Sequence, residues 1–401
     1  MRVHFAPFQE ALRKAGIDAW VMYDFRGTND LAWTMLDIPP DAHCTRRWMV
    51  VVPAQGHPVK LVHRMECTPL SHIPIEERLY DTRSSWESQV ASALKGFSTV
   101  AMEYSPMNAI PVTSKVDAGT VEFIRSLGVE VVSSADIAQQ FTAVLSEQQL
   151  AGASVTAGQL RDVMMEAFGF IRQSILDNVR ITEYDVQQRI VSAFASRGLV
   201  TDSAPIVAIG PNAASPHYAP SYTHSSEISA EMVVLIDAWC KNTAPGSVYA
   251  DLTWVGYTGV AIPADLAASF NMIVEGRNAA IALVKERFAS GTPVLGYEVD
   301  NACRSVIESA GMGSAFIHRT GHNITTEIHG PGVNMDDYET HDTRVLLPGT
   351  SFSIEPGIYL PDVLGLRTEI DVVILRDGTV TIPSSPLQAS LLPLLSDEWM
   401  Q

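Results

Sequence analysis

The sequence predicts an α+β protein of two domains, and three observations carry that expectation. Its 401 residues exceed what one hydrophobic core ordinarily serves. Its composition is globular, 46% hydrophobic and 18% charged. The pattern of elements also changes part-way, from short alternating α/β units up to about residue 145 to long helices followed by strands that carry carboxylates.

In the first portion, apolar β-branched or aromatic runs mark strands at 19–23, 48–52, 59–62 and 99–102, and helical spacing falls near 6–15, 85–95 and 118–127. Five of the eleven histidines lie here, none at ligand spacing. The polar patch Ser146-Glu147-Gln148-Gln149 opens a helical run to about 177, which sets the expected domains at 1–147 and 148–401. A second helix starts at Thr182, with Asp185 three positions on as a capping-box partner. Val186, Ile190 and Phe194 repeat at four-residue spacing, and Gly198 supplies the stop. Helices at about 263–290 and 297–310 end at Gly291 and Gly311. The second half therefore reads as helices packed on a curved, largely antiparallel sheet.

The formal charge of −18 argues against a nucleic-acid partner, because phosphate binding requires basic clusters. No run of about 18 apolar residues is present, so no membrane-spanning helix is expected. Met1-Arg2-Val3-His4-Phe5 lacks the apolar core of a signal peptide. Cys44, Cys67, Cys240 and Cys303 form no CxxC pair, which fits reduced thiols in a cytoplasmic protein.

Carboxylates at the ends of buried runs are the chemical signal. Asp237 ends Val233-Val234-Leu235-Ile236, Asp251 opens Asp251-Leu252-Thr253-Trp254-Val255, and His322 lies in Thr320-Gly321-His322-Asn323-Ile324. Glu355 sits in Phe352-Ser353-Ile354-Glu355-Pro356-Gly357-Ile358-Tyr359, and Glu369 in Leu366-Arg367-Thr368-Glu369-Ile370-Asp371. Taken singly, each acid reads as solvated or salt-bridged. Together, four carboxylates and one imidazole in half-buried strands call for a shared cation. Carboxylates with one imidazole and no thiolate suit Mn²⁺ first, with Zn²⁺, Co²⁺ or Fe²⁺ as alternatives. Five ligands exceed one tetrahedral ion and suit two ions roughly 3.5–4 Å apart that share a bridging hydroxide.

These segments resemble the pita-bread metallopeptidases: methionine aminopeptidase, aminopeptidase P, prolidase and creatinase. Gly321-His322 through Ile328-His329 is similar to the family's two-histidine signature, Glu355-Pro356-Gly357 to its Glu-Pro-Gly strand, and Arg367-Thr368-Glu369 to its closing ligand strand. Ile236-Asp237 and Ala250-Asp251-Leu252-Thr253 resemble its aspartate pair, and the segment ending in His217-Tyr218 its substrate-facing histidine. The resemblance spans about 150–385. It implies a pita-bread catalytic domain behind a smaller creatinase-type, ribonuclease H-like α/β domain. It also implies that Asp237 binds one ion bidentately, that Asp251 and Glu369 bridge both, and that His322 and Glu355 complete the other. His217 and His329 then serve the substrate and the tetrahedral intermediate, and Arg367 stands beside the site. Glu355 is suited to shuttle a proton to the leaving nitrogen. A homodimer is implied by resemblance alone.

The activity this implies is hydrolysis of Xaa-Pro dipeptides, with aminopeptidase P action or creatinase-like chemistry on a small zwitterion as alternatives. A dipeptidase must hold a free carboxylate, for which Arg367, Arg26, Arg46 and Arg47 are candidates. Spacing alone also allows Arg367 to pair with Asp371. Tyr218, Trp239 and Tyr359 read as core or pocket wall. Three departures from the family pattern concern the surroundings of the ligands. The turn between Asp237 and Asp251 is enlarged, Trp254 replaces the usual arginine after Thr253, and Asn323-Ile324-Thr325-Thr326 replaces a glycine-rich stretch.

Overall fold

The strand Ala19–Phe25 begins with five successive apolar residues because both faces of its sheet are covered. Trp20 and Met22 point to a cluster with Phe8, Leu12 and Leu36, while Val21 and Tyr23 point to one with Trp86, Val90 and Ile124. The sheet belongs to the first of two compact units, Met1–Thr142 and Ala143–Gln401, in a computed structural model that describes residues 3–397. Its strands are β1 (Ala19–Phe25), β2 (Arg47–Pro53), β3 (Val59–His63), β4 (Glu76–Tyr80), β5 (Thr99–Met102) and β6 (Glu130–Ser133), in the order β4-β3-β2-β1-β5-β6. β4 and β6 are not anticipated by the sequence pattern. Both are edge strands, each starts with glutamate, and β4 carries a Glu-Glu-Arg run that has no apolar core to meet.

The second unit starts before the expected boundary at 147/148. Leu145 packs with Leu150, Ala153 and Val373, and its N–H donates to Gly349 O at 2.8 Å, which holds the connection to this core. Its helices begin and end as the caps dictate. Ser146 and Gln149 cap Glu147–Leu176 reciprocally, and Thr182 and Asp185 do the same for Glu183–Ser196. Ala264–Ser290 closes on Gly291 in the left-handed region (φ 68°). Gly296–Ser309 follows.

The long hairpin Val233–Asn242/Ala250–Tyr257 is central to this unit. Val234, Ile236 and Ala238 face the helices through Leu160, Phe168 and Phe194. The alternate residues Val233 and Leu235 face a second cluster with Phe270, Phe316 and Phe352. Asp237 follows on that same face, opposite Thr253, and Trp239 stands opposite Asp251. A second antiparallel sheet contains Asn323–Ile324, Ser351–Ile354, Ile370–Ile374 and Val380–Thr381.

Next to that sheet lies the hairpin Gly357–Leu360/Leu364–Arg367. Ile354 pairs with Ile370 and Gly357 with Arg367, so the common register sets Glu355 opposite Glu369 and Pro356 opposite Thr368. Regular pairing breaks there because Pro356 has no N–H to give. Thr368 N still donates to Pro356 O (3.1 Å), but Glu369 N turns to Thr253 O (3.1 Å) and joins this junction to the long hairpin.

Gly365 presses against the 3₁₀ turn Gly210–Ala214, and a Cβ there would come within 1.7 Å of Ala213 O. Gly365→Ala is therefore expected to cost on the order of 3 kcal/mol through forced backbone movement. Urea or thermal unfolding checks this, and a change below about 0.5 kcal/mol, ordinary for a harmless surface substitution, would show that the turn yields freely.

Candidate metal centre

The junction of the two hairpins gathers the sequence-predicted ligands. Asp251 is 5% exposed and Glu369 2%, and together with His322 they can bring one donor atom each within 4.8 Å of one another. Asp251 Oδ1 and Glu369 Oε1 are buried and have no hydrogen-bond partner. Burial, then repulsion from neighbouring carboxylates, pushes both carboxyls well above their usual pKa: Asp237 and Glu355 act on Asp251, and Asp251 and Glu355 on Glu369. Two orphaned acceptors in a repelling group with one imidazole are the donor set that a divalent cation satisfies.

Glu355 flanks this group, its Oε1 3.4 Å from His322 Nε2 and accepting from Ser353 Oγ at 3.1 Å. Burial works to raise the Glu355 pKa, but His322 and His318, in the protonated forms they reach at acidic pH, and the Arg367 guanidinium outweigh it and hold the carboxyl below its usual value. His322 is held neutral chiefly by burial, which lowers its pKa. Ser353 Oγ accepts the His322 N–H at 3.0 Å, so one hydroxyl aligns both residues.

Asp237 lies outside the tight group of three. Its Oδ2 accepts from Arg367 Nη2, and its Oδ1 is 3.0 Å from the Thr253 hydroxyl. Thr253 Oγ1 accepts from Arg367 Nε (3.0 Å) and has one proton to give, with Asp237 Oδ1 and Glu369 Oε2 (2.8 Å) both in reach. Arg367 does not pair with Asp371. Four residues along an extended strand span about 13 Å, whereas Asp237 lies on the adjoining hairpin. Asp371 instead accepts the Asp251 N–H, with both oxygens at 3.2 Å.

A cleft of about 510 Å³ is lined by all five predicted ligands and by His217, His329 and Arg367. His217 is exposed, and the turn beside it is anchored by the Tyr218 hydroxyl, which donates to buried Glu183 at 2.6 Å. His329 meets His322 edge-on, with ring centroids 4.4 Å apart. Desolvation by the cleft walls, followed by His322 and Arg319, brings its pKa down to about 4, so the imidazole is neutral at pH 7.

Two lining residues carry no recognisable sequence motif of their own. His318 Nδ1–H donates to Arg319 O at 2.7 Å, since a carbonyl can only accept. Nε2 of the neutral ring therefore accepts from the Tyr359 hydroxyl (2.9 Å), whose oxygen accepts from Arg367 Nη1 (2.9 Å). Arg319, half-buried on the cleft wall, makes no ion pair or side-chain hydrogen bond among the described residues. The only signal for either is a His-Arg pair just ahead of the Thr-Gly-His ligand segment.

Comparison with known proteins shows the family of the chain. A family model for metallopeptidase family M24 matches residues 154–376, more than half of the chain. The chain belongs to metallopeptidase family M24. The probable dipeptidase PepE of Mycobacterium tuberculosis is 27% identical to this M24 chain over 350 residues, covering 86% of it and 85% of that protein. The Xaa-Pro dipeptidase of Lactobacillus delbrueckii subsp. lactis is 27% identical over 240 residues, 59% of each. Among solved structures, dipeptidase PepE from Mycobacterium ulcerans superposes with a TM-score of 0.69 at 24% identity, covering 96% of both chains, a likeness of fold. The fold is the pita-bread arrangement, and the chain is a metallopeptidase. Among the described residues no helix is long and apolar enough to cross a membrane, and all four cysteines are free.

The raised Glu369 pKa gives a testable sign. Folded metal-free protein holds a proton that the unfolded chain releases above about pH 4.3, so the contribution of this group to stability falls as pH rises. Glu369→Gln cannot titrate. In EDTA its stability relative to the parent is expected to climb as pH rises above about 5, by at most about 1.4 kcal/mol per pH unit, and saturating Mn²⁺ is expected to favour the parent instead. Parallel stability curves for the two proteins in EDTA would mean that the carboxyl is not under this pressure.

Proposed function

We propose that this M24 chain is a two-metal Xaa-Pro dipeptidase. Asp237, Asp251, His322, Glu355 and Glu369 are the ligands in this reading, Mn²⁺ is the preferred ion, and the active form is a homodimer in the cytoplasm. The observation that carries the substrate assignment is Arg319, an unpaired guanidinium in the same cleft as the carboxylate centre. In an Xaa-Pro dipeptide the free carboxylate belongs to the residue that leaves, so a nearby arginine favours substrates that end there. Arg367 is not free to bind that carboxylate, because its Nε, Nη1 and Nη2 are engaged by Thr253, Tyr359 and Asp237. Arg26, Arg46 and Arg47 belong to the first unit. A cleft of about 510 Å³ suits a ligand of dipeptide size. The dipeptidase names of the relatives that match most of the chain point the same way.

When bound, the metals supply a water activated near neutral pH and polarise the scissile carbonyl. The protein's own groups perform the remaining steps. Glu355, its carboxyl held below the usual pKa, accepts a proton and returns it to the leaving nitrogen. Neutral His329 and exposed His217 present ring N–H groups to the developing oxyanion. A prolyl leaving nitrogen has no N–H, and this donor set requires none there.

With Mn²⁺, Xaa-Pro dipeptides are expected to be cleaved well, Xaa-Pro-Yaa tripeptides poorly and creatine not at all. Arg319→Ala is expected to raise KM for the dipeptides by roughly ten- to a hundredfold, as for loss of a charge-assisted pair, with a smaller effect on kcat. Preference for tripeptides, or an unchanged KM in the variant, would refute the dipeptidase assignment.

A further inference from the structure

Two of the stretches that depart from the family pattern, the enlarged turn after Asp237 and residues 323–326, meet in the structure. Lys241, on the strand that leads into the turn, donates from Nζ to Thr326 O at 2.6 Å. The same ammonium lies 4.5 Å from the centroid of the Tyr249 ring, and Tyr249 N donates to Thr325 O at 3.0 Å. Among the described residues no carboxylate pairs with Lys241. Its charge is spent on a carbonyl and an aromatic face, an arrangement that fixes position.

The segment it holds runs from His322 to His329. At the base, Asn323 O accepts Gly330 N (2.7 Å), Asn323 Oδ1 accepts Gly332 N (2.9 Å), and Asn323 Nδ2 donates to Ser351 O (2.9 Å). Within the segment, Thr325 N donates to Glu327 O (3.0 Å), and Thr325 Oγ1 accepts Glu327 N (3.2 Å). The tip is tied to the long hairpin by the Lys241 and Tyr249 bonds, and Ile328 packs in the same apolar cluster as Trp239. Only two residues separate Thr326 from His329, whose ring lines the cleft beside His322.

We propose that Lys241 is a positioning residue for His329: by clasping the Thr326 carbonyl it sets where the imidazole stands above the carboxylate centre. The inference rests on the reading of His329 as a group that acts on the substrate. Displacement of a reacting group by about 1 Å can cost up to a hundredfold in rate.

The test compares Lys241→Met, Lys241→Arg and His329→Ala with the double variant Lys241→Met/His329→Ala, using the Mn²⁺-loaded full chain and an Xaa-Pro dipeptide. Lys241→Met is expected to lower kcat about ten- to a hundredfold with KM changed less and metal content unchanged, and Lys241→Arg to recover most of the loss. In the His329→Ala background, Lys241→Met is expected to change kcat less than twofold, since a residue acting through His329 has nothing left to position. A general structural role would give the same loss in both backgrounds, and that result overturns the proposal. So does a Lys241→Met enzyme within twofold of the parent while His329→Ala is crippled. If His329→Ala is itself fully active, the catalytic reading of His329 fails and the proposal with it. Should Lys241→Met fold poorly, the same cycle with Lys241→Gln and His329 ring NMR shifts in the metal-loaded protein decides between these outcomes.

Discussion

Close crowding of buried carboxyl groups is the constraint on which the second unit depends. Asp251 and Glu369 are pressed together with Asp237 and Glu355 nearby, each buried or nearly so, and two of their oxygens lack any partner. Such a group takes up protons, and it disperses unless the backbone around it is rigid. Two hairpins supply that rigidity. One sets Asp237 opposite Thr253 and Trp239 opposite Asp251, the other sets Glu355 opposite Glu369, and the Glu369 N–H crosses from one to the other. Arg277 supports the junction from behind, donating to Thr368 Oγ1 (2.8 Å) and Gln388 O (2.9 Å).

The protein balances this charge with its own cations and dipoles before any metal is considered. Arg367 engages Asp237, the Thr253 hydroxyl has its one proton in reach of two carboxylates, and the Asp251 N–H is answered by Asp371. The imidazoles contribute differently. Burial keeps His322 and His318 neutral, so they serve as lone-pair and N–H groups rather than as counter-charges. The centre therefore keeps a net demand for positive charge, focused on Asp251, His322 and Glu369.

The sequence announced those elements in which a local signal coincides with a tertiary role. The polar patch at Ser146 and the capping pair at Thr182 and Asp185 marked helix starts because a cap is satisfied within three residues. Asp237, Asp251, Glu355 and Glu369 stood out because a carboxylate beside an apolar run is locally anomalous. The edge strands β4 and β6 gave no such signal, because solvent satisfies their charged side chains. Nor did the function of Thr253 or His318: the partners that define them lie 116 and 41 residues away, and sequence spacing carries no information about which hairpin will lie alongside. The alternative pairing of Arg367 with Asp371 failed for the same reason, since proximity along a strand is not proximity in space.

The close packing around the centre also governs how this cleft can diverge. Gly365 abuts Ala213 O, and a Cβ on Gly321, just before His322, would reach within 2.0 Å of Ser353 O. No other amino acid fits at either place without moving the backbone it meets. Inherited variation is thus barred from the floor of the cleft and channelled to its rim, where exposed residues such as Ser203 and Glu339 can change chemistry. Descendants of this chain can acquire new substrate preferences at that rim while the charged floor is passed on unaltered.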